Sequence, residues 1–300
     1  MRQSLLFATS AAFALAACAS APPRDTARAP AAFVSDRIEV VTRGTGPDVI
    51  LVPGLAAHRD LWAEAAGALD DRYRVHLVQV KGFAGFAPGA NAEGPVAAPV
   101  AEEIARYIRE TDLDRPAVVG HSMGGSIGIM LAARHPDAVG RLMVVDMMPF
   151  LGAMFGPPGA TAESVRPIAA QMRDSMLAGP PGSAGMLERM LPGMTRRDSM
   201  RSVLVRYARD SDRRTVANAF HELIVTDLRP ELARITVPMA VLYVVPPNVP
   251  MSPAEFDAVM RRSYASAATA RFTRVEDSNH YIQLDQPARL VAEVDALVRR

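Results

Sequence analysis

The sequence predicts an α/β protein, with a mainly parallel β-sheet flanked by helices and interrupted by an inserted helical cap. Three observations lead there. From Phe33 onward, short Val/Leu/Ile-rich runs alternate with stretches of helical spacing, the pattern of a sheet covered on both faces. Most of the runs are continuously apolar, as in strands buried on both sides. Between Asp146 and Pro238 lie about ninety residues with no strand pattern. A chain of 300 residues, 49% hydrophobic and 22% charged, has ample material for a large globular core. The formal charge of +1 offers no global attraction for nucleic acid. A single cysteine excludes an intramolecular disulfide and any Cys-rich metal site. Thirty-two of the 33 basic residues are arginine, Lys81 being the exception.

The first element is an address. Arg2 precedes a mostly apolar, uncharged run from Leu5 to Ala17. Its thirteen residues would span about 20 Å as a helix, short of the roughly 30 Å hydrocarbon layer. A secretory signal peptide is therefore favoured over a permanent span. The run ends in Leu15-Ala16-Ala17-Cys18, which resembles the lipobox of bacterial lipoproteins. That resemblance implies removal of residues 1–17, lipidation of Cys18 and a mature chain of zero formal charge. The competing reading is an ordinary A-x-A signal with an accidental cysteine. Ala19 after the cysteine is similar to the outer-membrane class, so the expected location is the bacterial envelope, facing the periplasm. Residues 18–32, rich in Ala and Pro, read as an extended tether.

The folded part then follows. Strands are expected at Arg37–Thr42, Val49–Val52, Val75–Val80, Ala117–Val119, Leu142–Val145, Met239–Val245 and Arg271–Val275. Helices are expected at Leu61–Leu69, Val100–Arg109, Ser126–Arg134 and Pro287–Val298. Within the cap, helical patterns occupy Ala162–Leu177, Met186–Leu191, Arg196–Asp210 and Arg214–Thr226. The expected division is a core of residues 33–147 and 231–300 carrying a cap of 148–230. Nine of the sixteen methionines fall between Met147 and Met200. Such deformable apolar side chains suit a greasy ligand, or else simply fill the seam between cap and core.

The main chemical signal is Gly120-His121-Ser122-Met123-Gly124, directly after a β run and opening a helix. A serine on so sharp a turn needs glycine two residues to either side, where a Cβ would strike neighbouring backbone. The helix N-terminus supplies N–H groups and partial positive charge to a developing oxyanion. With Leu51-Val52-Pro53-Gly54-Leu55-Ala56 ending an earlier strand, the chain from Phe33 onward resembles the α/β-hydrolase superfamily. That resemblance implies Ser122 as nucleophile and the N–H groups of Leu55 and Met123 as the oxyanion hole.

Six histidines compete for the role of base. His76 lies in an expected buried strand, and His221 in a cap helix. His121 abuts the nucleophile in an unsuitable direction, His135 ends a helix, and His58 is close enough to the oxyanion loop to touch substrate. His280 stands after the last strand and before the final helix, where the family places its base. The acid is where the sequence departs. The usual station after Val245 reads Pro246-Pro247-Asn248 and holds no carboxylate. Asp146, at the preceding strand end, is the expected substitute, with capping of the turn into the cap as the competing reading. Glu255 and Asp257 stay open as alternatives, and Asp277 reads as a loop organiser. A second departure is Gln79, where many relatives carry an aspartate. Together these residues imply a serine hydrolase that cleaves a carboxylic ester, thioester or lactone of apolar character through an acyl-enzyme. Neither metal nor organic cofactor is required. The alternative is a non-catalytic lipoprotein of the same fold that binds an apolar ligand or a protein partner.

Overall fold

The computed structural model describes residues 33–180, 182–247 and 249–299. The expected signal peptide, Cys18 and tether lie outside the described residues. Seven strands form one sheet: β1 (Ile38–Arg43), β2 (Asp48–Val52), β3 (Arg74–Val80), β4 (Ala117–His121), β5 (Arg141–Val145), β6 (Met239–Tyr243) and β7 (Ala270–Arg274). Their order is β1-β3-β2-β4-β5-β6-β7, with β1 antiparallel to β3 and every other pairing parallel. All seven fall where the hydrophobic runs predict them, within a residue or two at each end.

Strand geometry sends successive side chains to opposite faces, which divides each apolar run into two sets. Ile50, Val52, Val78, Val118, Leu142 and Val144 point to one side. There they meet α2 (Ala97–Glu110) and α3 (Met123–Arg134). Val49, Leu51, Val75, Leu77, Val119, Met143 and Val145 point to the other. They meet α1 (Ala63–Leu69) and the C-terminal helix, Pro287–Val298. That last helix buries Leu290, Val294 and Leu297 at spacings of four and three, each worth about 1.5–3 kcal/mol of transfer free energy. The expected helix Leu61–Leu69 begins with a separate 3₁₀ turn, Arg59–Trp62.

Between β5 and β6 the described residues form helices joined by turns, with no strand. The helices are α4 (Ala162–Leu177), α5 (Met186–Met190), α6 (Asp198–Asp210) and α7 (Arg213–Val225), with short 3₁₀ turns between. Phe150, Val165, Ala169, Phe220 and Ile224 make a small core of its own. This insertion is bolted to the sheet domain. The buried Glu222 of α7 accepts the N–H groups of Val96, Ala97 and Ala98 at 2.6, 2.7 and 2.8 Å. A carboxylate thereby satisfies the orphan donors and the positive dipole end of α2. Asp212 N–H also donates to the Gly82 carbonyl at 2.7 Å. After β6 come α8 (Pro253–Ser263), then β7, a short α9 (Ile282–Asp285) and α10 (Pro287–Val298).

Candidate active site

The sharp turn between β4 and α3 holds Ser122 at φ 53, ψ −120, a region that costs a non-glycine residue about 1–3 kcal/mol. Three hydrogen bonds retain it there. Ser122 N–H donates to the Val145 carbonyl at 2.9 Å, and its own carbonyl accepts Gly125 N–H at 2.8 Å and Ser126 N–H at 3.3 Å. The flanking glycines are a steric requirement. A Cβ on Gly120 would lie 2.0 Å from the Gly124 carbonyl oxygen, and one on Gly124 would lie 2.2 Å from that of Val52.

Asp146 follows β5 immediately, at φ 50. Its N–H donates to the Leu242 carbonyl at 2.7 Å, and Oδ1 accepts Val244 N–H at 3.0 Å. The second oxygen, Oδ2, stands 2.6 Å from Nδ1 of His280 in the loop between β7 and α9. Since a carboxylate only accepts, Nδ1 carries the proton and Nε2 is left as the acceptor. The Tyr264 hydroxyl secures this corner from below, donating to the Met147 carbonyl at 2.6 Å. Complete burial, with the Asp146 charge adding to it, pushes the Tyr264 pKa well above its ordinary value.

The rival acids are committed elsewhere. Glu255 closes a capping box with Ser252 at the start of α8. Asp257 accepts from the Tyr243 hydroxyl at 2.8 Å and from Arg274 at 2.7 Å. Burial, followed by that carboxylate, pushes the Tyr243 pKa up to about 12. Asp277 is exposed and 3.5 Å from Arg196.

The loop bearing His280 is gripped from two sides. His121 is buried, and its Nε2–H donates to the His280 carbonyl at 3.0 Å. Burial, with the neighbouring His280 adding to it, holds the His121 pKa well below the usual imidazole range, so this ring is a neutral donor. Asp285 accepts Asn279 N–H at 2.8 Å and the Thr195 hydroxyl at 2.6 Å. That ties the loop to the helical insertion. The remaining histidines are spoken for. His76 sits in β3 between Tyr107 and Asp48. His135 ends α3 against Glu102, and His221 is half-buried on α7. His58 stacks on Tyr207 at 5.2 Å and accepts Asp60 N–H, outside the cavity wall.

Ser122, His280 and Asp146 line one cavity of about 310 Å³, a size suited to a small ligand. Ser122 Oγ is not hydrogen-bonded to His280 in this conformation. Leu55 lines the cavity too, whereas the Met123 side chain is buried at the start of α3. The walls include Met147, Met148, Met154, Met190, Met194 and Met260, and among the described residues their ionisable side chains are Asp146, His121, His280 and Tyr281. Met172 and Met186 instead pack on the insertion's own core, so the methionine enrichment divides between pocket and seam. Phe256 and Met260, four apart on α8, also face the cavity, a pair that sequence reasoning passed over. Their spacing on one helix face was the available signal.

A sequence profile of the alpha/beta hydrolase family matches residues 49–294. The chain belongs to that family. It is 30% identical over 112 residues to the pimeloyl-[acyl-carrier protein] methyl ester esterase of Nitrosomonas europaea, covering 37% of this chain and 42% of that protein. It is 31% identical over 121 residues to a fluoroacetate dehalogenase of Burkholderia sp, covering 37% and 38%. The chain thus spans about two fifths of the length of these curated relatives. The crystal structure of an esterase from Exiguobacterium antarcticum superposes with a TM-score of 0.72 at 21% identity, covering 88% of this chain and 96% of that one. This alpha/beta hydrolase has the seven-stranded, mostly parallel sheet, and the carboxylate that meets His280 stands at the end of β5.

Proposed function

We propose that this alpha/beta hydrolase is a serine hydrolase that cleaves an uncharged, apolar carboxylic ester, or the related thioester or lactone. The observation that carries the reading is the Asp146–His280 pair at 2.6 Å sharing a cavity with Ser122 on its strained turn. Ser122 Oγ attacks the carbonyl carbon while His280 Nε2 takes its proton. Asp146 keeps the other imidazole proton on Nδ1 and stabilises the imidazolium. Leu55 and Met123 N–H groups receive the oxyanion. Collapse expels the alkoxide with the proton from His280, and water then releases the acid by the same steps. The Ser–His contact closes when substrate is bound, as is usual for such hydrogen bonds. Among the wall residues no cation is available to pair with a charged acyl group, which favours uncharged chains. In this reading residues 148–230 are a cap over the core of 33–147 and 231–300. The domain works outside the cytoplasm, tethered through lipidated Cys18.

A fluorophosphonate probe tests the chemistry. Covalent labelling is expected in the wild type and not in Ser122→Ala. Equal labelling of both, or of neither, rejects the acyl-enzyme and leaves a fold that only binds apolar ligands. Chromogenic esters of increasing acyl length test the pocket, and a preference for acetate over medium chains would count against an apolar acyl site.

A further inference from the structure

The loop from Pro53 to His58 carries the Leu55 amide and is held at both ends. At its start it presses on the nucleophile turn, since a Cβ on Gly54 would lie 3.1 Å from both His121 Nδ1 and Ser122 Cβ. At its far end a single buried side chain holds it. Gln79 of β3 has no exposed surface. Its Oε1 accepts Arg59 N–H at 2.9 Å, and its Nε2 donates to the carbonyls of Ala57 at 3.2 Å and Val80 at 3.0 Å. Both amide hydrogens and one lone pair are therefore used. Between the two clamps Ala56 sits at φ 53, a left-handed conformation that costs an alanine about 1–2 kcal/mol. Released at one end, the loop would relax toward right-handed backbone and turn the preceding amide.

We propose that Gln79 is a positioning residue, fixing the Leu55 N–H at the oxyanion position through Ala57 and Arg59. This rests on the serine-hydrolase reading above. The side chain must be an amide because the loop offers one donor and one acceptor. A carboxylate at the same place would set an acceptor against the carbonyl oxygens of Ala57 and Val80. An aliphatic side chain would strip the Ala57 carbonyl and the Arg59 N–H of this partner, while the Val80 carbonyl would keep Phe83 N–H at 3.3 Å.

The test uses the full chain with Gln79→Leu and Gln79→Glu. Transition-state donors misplaced by about 1 Å cost on the order of 10²-fold. Both variants are therefore expected to lower kcat by about 10- to 100-fold, with KM for a chromogenic ester changed less than about 3-fold. A trifluoromethyl ketone, whose adduct on Ser122 carries an oxyanion, should weaken by the same factor as kcat/KM. A neutral amide of the same acyl group, which forms no adduct, should bind unchanged. A purely structural role would weaken both ligands together. That outcome, or wild-type kcat in a folded variant, overturns the proposal. Should neither variant fold, hydrogen exchange on the unaltered protein reads the same contact. The Arg59 amide is expected to be protected, and rapid exchange refutes the clamp. If the wild type is not labelled at Ser122 by fluorophosphonate, the hydrolase reading itself fails. If it is labelled and the variants behave as wild type, only the role of Gln79 fails.

Discussion

Asp146→Asn is the sharpest probe of the site, because its neighbours dictate which way the amide must sit. Val244 N–H donates to Oδ1 at 3.0 Å, so the asparagine oxygen stays at that end. The NH₂ then replaces Oδ2, 2.6 Å from His280 Nδ1. Facing a donor, Nδ1 must give up its proton, and the tautomer with the proton on Nε2 prevails. That proton points at the serine it should receive from, and the imidazolium formed during attack loses its counter-charge. A wrong tautomer in a triad of this kind costs about 10⁴ in turnover. The expected loss in kcat is about 10³- to 10⁴-fold, or roughly 4–5.5 kcal/mol of barrier at about 1.36 kcal/mol per decade. Steady-state hydrolysis of a chromogenic ester at neutral pH measures it. Asp257→Asn serves as the control, expected within about 3-fold of wild type because that carboxylate is held by Tyr243 and Arg274. Asp146→Asn activity within about 3-fold of wild type would refute the assignment and the tautomer argument together.

Five further outcomes are expected. Gly124→Ala drives a Cβ to 2.2 Å from the Val52 carbonyl oxygen and should cost about 3 kcal/mol or abolish folding. Gly67→Ala, in α1 with nothing within 4 Å of the new Cβ, should stabilise by about 0.5–1 kcal/mol; urea unfolding reads both signs. Glu222→Gln turns an NH₂ toward at least one of the three N–H donors at the start of α2, and an expected loss of about 2 kcal/mol would be absent if the helical insertion were anchored elsewhere. His121 has a pKa held well below 6.5 in the fold, so the unfolded chain binds the extra proton first. Stability is then complete above about pH 6.5 and falls as pH drops below it. His121→Gln should remove that share, and parallel pH–stability curves would contradict it. Metabolic labelling with palmitate should reach the wild type and spare Cys18→Ser; label retained in the variant would place lipid elsewhere or nowhere specific.

The strands were legible because a parallel sheet buried on both faces leaves continuous apolar runs, and Val49–Val52 or Leu142–Val145 admit little else. Ser122 and His280 were legible because local context constrains each, a strand-to-helix turn for one and a position after the last strand for the other. Asp146 could only be nominated. Its contact with His280 spans 134 positions and depends on β5 lying beside β6, and strand order is not written in any short stretch of chain. The same reason hid the His121 bond to the His280 carbonyl, because the direction of a ring at a strand end is a tertiary property. Phe256 and Met260 were not legible as wall residues, because a spacing of four fixes a shared helix face but not the cavity it meets.

The position of the acid and the apolar character of the cavity are connected. β5 and β6 run parallel, with Val145 opposite Leu242, and neighbouring strands stand about 4.8 Å apart. A carboxylate at the end of β5 must therefore reach across one strand to meet a base served from beyond β7. Asp146 does so by adopting φ 50, which aspartate tolerates better than most residues. The Val244 amide, just past β6, then fixes one of its oxygens. The backbone at the usual acid station thus orients the carboxylate without carrying it. That frees the following residues, and Pro246 and Pro247 line the cavity wall where a charged side chain and its solvation would otherwise stand. Burying an unpaired carboxylate there would be costly. Placing the charge on β5 leaves Pro246 and Pro247 to line this stretch of the wall with apolar rings.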